Sequence, residues 1–159
     1  MEDILNATLA GGVVIGAPSG LFTQPAASLV CGLLAGMISA FGFKFLTKYL
    51  EGKIGLLDTC GVNNLHGIPG LLGGILSSIA IASYQSSAMD PSLGANLSFF
   101  NATNGGRSLS TQAWYQIVGT ICSWGIGLLS GIVTGYLISF GYRFRNHHFY
   151  RDTAIFETP

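Results

Sequence analysis

Charge is the scarcest feature of this sequence. Of 159 residues, 9% are Asp, Glu, Lys or Arg, in seven basic and seven acidic side chains, whereas soluble domains carry about 25%. So little charge excludes an ordinary soluble globular domain. A disordered segment needs low hydrophobicity and high net charge, and a nucleic-acid binder needs a basic face. A formal net charge of zero with 49% apolar residues excludes both. Cysteine is scarce too: Cys31, Cys60 and Cys122 are odd in number, and no zinc-type CxxC or HExxH spacing occurs. They read as small buried hydrophobes rather than a disulfide framework or metal site. The sequence also lacks a GxxxxGK[ST] phosphate loop and a GxSxG elbow, so neither an enzyme nor a cofactor is expected. What it has is apolar surface and 23 glycines, a composition suited to lipid as solvent.

The positions of the few charges define the expected fold. None falls between Asp3 and Lys44, between Asp58 and Asp90, or between Arg107 and Arg143. A spanning helix needs about 20 apolar residues, because ~1.5 Å per residue must cover a hydrocarbon core of ~30 Å. The gaps predict an all-α, polytopic transmembrane bundle. Its transmembrane domain covers residues 1–142, with helices at about 4–17, 25–49, 59–84 and 113–142, a loop at 85–112 and a short tail at 143–159. The first helix is short enough to be re-entrant or interfacial. Glu2 and Asp3 make the N-terminus acidic where a cleavable signal would be basic.

Orientation follows from Lys and Arg near helix ends. Lys44, Lys48 and Lys53 flank the second connection, and Arg143, Arg145 and Arg151 follow the fourth helix, whereas residues 85–112 contain only Arg107. The Lys-bearing connection and the C-terminus are therefore expected in the cytoplasm and the long loop outside. Asn96 and Asn101 open glycosylation sequons in that loop. A third sequon, at Asn6, falls on the predicted cytoplasmic side.

Small residues recur at every fourth position: Ser28, Gly32, Gly36 and Ala40; Gly70, Gly74, Ser78 and Ala82; and Gly119, Ser123, Gly127, Gly131, Gly135 and Ser139. Lipid offers little hydrophobic force between helices, so such rows let backbones approach and pack closely.

The chemically loaded segment runs Asp58-Thr-Cys-Gly-Val-Asn63-Asn64-Leu-His66-Gly-Ile-Pro69-Gly. Asp58 is a candidate N-cap, with a place in a vestibule as its second reading. His66 lies about 12 Å further along at ~1.5 Å per residue, toward the hydrocarbon interior, and leads a small-residue row. Pro69 lacks an N–H and clashes with the carbonyl of Leu65, so the helix should bend or open one turn from the histidine. An ionisable group in a span marks an ion or proton path by default; a hydrogen-bonded histidine joining two helices is the alternative. Asn63 and Asn64 read as interhelical hydrogen bonders or as lining of the same path. His147 and His148 sit in the polar tail, where two ligands do not make a metal site.

This segment, with Asn6-Ala-Thr-Leu-Ala-Gly-Gly-Val upstream, resembles the Rhesus (Rh) glycoprotein branch of the ammonium transporter (Amt/Mep/Rh) family, and the resemblance runs from about Asn6 to Pro159. It implies the last four helices of an ammonium transporter-like fold. Family members form trimers whose protomers each carry a narrow apolar pore for ammonia. Two facing histidines line the pore midway, and His66 matches the second. The implied cargo is ammonium or ammonia, with methylammonium and carbon dioxide as further candidates, and the implied location is the plasma membrane.

The chain has no counterpart for the partner histidine, the aromatic gate or the outer acidic region of the family. It is therefore expected to be a truncated product or partial gene model whose activity belongs to a complete protomer. A non-conducting Rh-like assembly subunit is the alternative function. An intramembrane enzyme is disfavoured, because His66 has no acidic neighbour at short helical spacing.

Overall fold

The computed structural model describes residues 2–22, 24–83 and 108–141, all of whose regular structure is helical. The sequons at Asn96 and Asn101, the tail from residue 143 and its histidines lie outside the described residues. Helix α1 spans Glu2–Gly16 and α2 spans Pro25–Phe41, which passes through a π-helical turn, Gly42–Leu46, into α3, Thr47–Ile54. A second π turn, Asn63–Gly67, leads into α4, Ile68–Ala82, and α5 spans Leu109–Gly141. The described residues up to Trp124 form one compact unit; the described part of the other, 125–141, is the C-terminal half of α5.

Among the described residues, three runs are long and apolar enough to cross a membrane: Pro25–Ile54, Asn63–Ala82 and Leu109–Phe140. Large apolar side chains point outward, as Leu29 at 75%, Leu33 at 66% and Phe140 at 83% exposure illustrate. Lipid, not water, is the solvent such a surface fits. The chain is an integral membrane protein.

Local chemistry sets the helix ends. Pro25 opens α2 in its first turn, where its missing N–H costs nothing. The α2–α3 run continues past Tyr49 to Ile54, because Lys48, Glu51 and Lys53 are exposed and a helix need not stop where the hydrocarbon does. It stops at Gly55, whose φ of 69° suits glycine and whose N–H bonds to Glu51 O at 3.1 Å. The following helix begins at Asn63 rather than at residue 59, because residues 58–61 make a turn closed by Gly61 N–H to Asp58 O at 3.1 Å. Helix α5 begins at Leu109, ahead of Ala113: Ser108 Oγ accepts from Thr111 N–H at 3.2 Å, a cap the charge pattern does not reveal.

The buried side chains of the first unit are mostly small, among them Ala10, Ala35, Ser39 and Ser77. A Cβ added at Gly11 would lie 3.2 Å from Gly32 O, and one at Gly36 would lie 3.3 Å from Ala7 O. Helices α1 and α2 thus meet backbone to backbone. Helix α4 is held on two sides: a Cβ at Gly73 would stand 2.6 Å from Val14 O of α1, and one at Gly74 would collide with Thr120 of α5. Ser78 Oγ adds a hydrogen bond to Ala113 O at 2.8 Å. In the second unit, residues 126–140 are all exposed, and a Cβ at Gly127, Gly131 or Gly135 would meet nothing within 4 Å.

Candidate functional site

The site is built from the turn that precedes α4. Asp58 accepts two backbone hydrogen bonds with its carboxylate, Oδ1 from Val62 N–H and Oδ2 from Asn63 N–H, both at 2.9 Å. It thereby satisfies donors that the helix start would otherwise leave unpaired. Gly61 takes φ 66°, and a Cβ there would run into the Phe43 ring. Backbone freedom and close approach together require glycine at this turn.

The next residues are π-helical, with Ile68 N–H reaching back to Asn63 O. The wider turn takes up the clash that the Pro69 ring would otherwise make with the Leu65 carbonyl. Within the π turn the side chains diverge. Asn64 is 1% exposed and donates through Nδ2 to Thr47 Oγ1 at 2.7 Å, while its Oδ1 is buried without a partner. Asn63 is half-buried beside Gly67, and Leu65 is buried. His66 is exposed.

His66 opens onto a cleft of about 480 Å³ between α4 and α5. Gly67, Gly70, Leu71 and Gly74 line it on the His66 side; Gln116, Thr120, Ser123 and Trp124 line it from α5. The Ser78–Ala113 hydrogen bond and the Gly74–Thr120 contact show that moving back along α4 moves forward along α5. The two helices are therefore antiparallel, which sets Ser123 and Trp124 toward the Gly70 and His66 end and Gln116 toward the other. Thr120 Oγ1 donates to Gln116 O at 2.8 Å, turning its hydroxyl onto its own helix.

Among the residues singled out from the sequence, His66, Gly70, Gly74, Gly119 and Ser123 come together at this cleft. Asp58 and Asn64 do not line it: the first holds the start of the helix, and the second joins it to α3. Gly32, Gly36 and Gly74 lie at helix contacts. A Cβ at Gly70 would meet nothing within 4 Å among the described residues. Gln116, Thr120 and Trp124 were not singled out. Their signal was polar residues at 116, 120 and 123, spaced for one face of a helix.

Comparison with known proteins places these features. Residues 1–148 match the Ammonium Transporter Family. Ammonium transporter Rh type C of Homo sapiens is 34% identical over 161 residues, which covers all of this chain and 34% of that protein. Ammonium transporter Rh type B of Xenopus tropicalis is 38% identical over 138 residues, and its Rattus norvegicus counterpart 41% over 138; each alignment covers 87% of this chain and 30% of the relative. The chain thus spans about a third of the length of the relatives it matches. With an all-helical membrane architecture and a histidine within an apolar span, it belongs to the Ammonium Transporter Family, in its Rhesus (Rh) branch.

Proposed function

We propose that this chain forms part of a protomer that passes ammonium or ammonia across the membrane, with His66 as the residue that handles the ammonium proton. The observation that carries this reading is the placement of an exposed imidazole in a glycine-lined cleft within an apolar span. A bare ion is costly in the hydrocarbon, whereas neutral ammonia is not. An imidazole accepts and returns a proton near neutral pH. Ammonium arriving at the cleft gives its proton to a ring nitrogen, ammonia moves on, and the proton stays behind or is relayed. Methylammonium and carbon dioxide are further cargo of the same passage, a homotrimer is the proposed assembly, and the role is transport rather than catalysis.

The test replaces His66 with Ala and with Asp in cells expressing the protein from its own gene, recording current and intracellular pH together. Loss of one hydrogen-bonding side chain in a membrane protein costs about 0.6 kcal/mol, too little to unfold it. Surface abundance should persist while His66→Ala lowers net ammonium transport or changes its charge coupling. An ionised carboxylate in place of the imidazole would hold the cation, so His66→Asp should favour passage of the charged form. Flux, current and pH responses equal to the parent in both variants would make His66 a packing residue.

The same reading places the protein in the plasma membrane with its C-terminus in the cytoplasm, supported by the Lys and Arg asymmetry. Asn96 or Asn101 should then carry glycan in a eukaryotic cell, and a tag after Pro159 should be reachable only after permeabilisation. A tag accessible on intact cells would reverse the orientation.

A further inference from the structure

Three glycines of α4 lie within two to three turns of His66, and their surroundings differ. Gly73 faces the Val14 carbonyl and Gly74 faces Thr120, so both are required by packing. Gly70 lines the cleft, is exposed, and has open space where a Cβ would stand. Among the described residues, close helix packing therefore does not account for glycine at this position.

Its relation to the histidine does. Residue 70 is four positions after His66, hence on the same face one turn along. The Cα–Cβ bond of a helical residue tilts toward the helix N-terminus, so a side chain covers the turn before its own Cα. Any side chain at 70 would lean over the turn that carries His66. Across the cleft, the antiparallel register sets Ser123 and Trp124 of α5 toward this same end. The wall opposite Gly70 already holds a large ring and Leu71 already stands at the cleft from α4, so the space in front of the imidazole depends on residue 70 being bare.

We propose that Gly70 is a specificity-determining residue: it keeps the His66 imidazole uncovered and sets how large a nitrogen base can reach it. The proposal rests on His66 being part of the passage. Ammonia and small primary amines fit beside a residue with no side chain. Each added carbon at 70 narrows the approach, first for methylammonium, which is larger by one methyl, and then for ammonium. A Cβ at residue 70 meets no atom of the described residues within 4 Å, so Gly70→Ala leaves their packing undisturbed, and Gly70→Leu extends the series.

The experiment has two readouts on the parent, Gly70→Ala, Gly70→Leu and His66→Ala. In membranes from expressing cells, the rate of His66 modification by diethyl pyrocarbonate, followed by mass spectrometry, reports access to the imidazole independently of transport. In intact cells, uptake of methylammonium and of ammonium reports the passage. The expected result is a partial loss of His66 modification in Gly70→Ala and loss of most of it in Gly70→Leu, with methylammonium uptake falling before ammonium uptake. Unchanged modification across the Gly70 series overturns the shielding role of residue 70, whatever His66→Ala does to uptake. Reduced modification with parental uptake in both Gly70 variants, while His66→Ala lowers it, overturns the specificity role. Reduced modification with uptake insensitive to His66→Ala and to residue 70 overturns the passage reading itself, and the specificity role with it.

Discussion

Asn64 Nδ2 donates to Thr47 Oγ1 at 2.7 Å, and each residue belongs to or adjoins a π turn. Thr47 N–H closes the first π turn on Gly42 O, and Asn64 sits inside the second. A Cβ at Gly42 would reach within 2.5 Å of Asn64 Oδ1, so the two widened turns are fitted to each other by one carboxamide. π turns are insertions that a helix tolerates only where something rewards them; here the reward is a hydrogen bond between two spans.

This pairing sets the first expectation. Thr47→Val leaves the buried Asn64 carboxamide wholly unpaired, at a cost of about 1–3 kcal/mol. Asn64→Ala removes the group that would suffer, so adding it to Thr47→Val should cost less than the sum of the single changes. Thermal denaturation of all four forms in detergent gives the coupling, expected between about 0.6 kcal/mol, the average for a membrane side-chain pair, and the full stranding cost of about 1–3 kcal/mol. Additive single changes would show that the bond contributes nothing.

Gly73 and Gly12 should respond oppositely to alanine. The methyl of Gly73→Ala would stand 2.6 Å from the Val14 carbonyl oxygen, a backbone atom that cannot swing aside, and overpacking of this kind costs about 1–3 kcal/mol. Gly12 has nothing within 4 Å, so Gly12→Ala should be neutral or stabilise by up to about 1 kcal/mol through helix propensity. Melting temperatures of the two variants, measured side by side, decide this; equal shifts would mean that the α1–α4 contact is not tight.

Two separate penalties meet at Gly61. Alanine there is strained by φ 66°, at a cost of about 1–2 kcal/mol, and its methyl also strikes the Phe43 ring. Phe43→Leu should relieve the second penalty and leave the first, so the double variant should recover part of the stability that Gly61→Ala loses. Full recovery would show that the backbone at Gly61 is not held at positive φ.

Much of the fold could be read directly from the sequence, because the membrane tolerates so few charges. The gaps after Asp3, Asp58 and Arg107 define apolar stretches, and an all-helical membrane architecture follows from them. Contact geometry was harder to read. A row drawn at every fourth residue from His66 selects Gly70 and Gly74, but helical positions advance about 100° each, so such a row drifts around the helix. Helix α4 is held by α1 at Gly73 and by α5 at Gly74, and the buried face runs through Gly73, Gly74, Ser77 and Ile81. The π turns were hidden for a related reason. Pro69 announces a disturbance, but its form depends on Thr47 and Gly42, which lie in a different span. At the site, the sequence singled out the histidine, whereas the opposing wall from α5 depends on which helix packs beside α4.

The long helices tie the protein to the thickness of its bilayer. Pro25–Ile54 has 30 residues and Leu109–Gly141 has 33, or about 45 and 50 Å at ~1.5 Å per residue, against a hydrocarbon core of about 30 Å. The surplus must be taken up by tilt, by local thickening, or by ends that stand among the headgroups, each at a fraction of a kcal/mol per Å. Thick, sterol-rich bilayers reduce that mismatch and thin ones increase it, so lipid chain length becomes a variable that acts on this protein without touching any residue of its cleft.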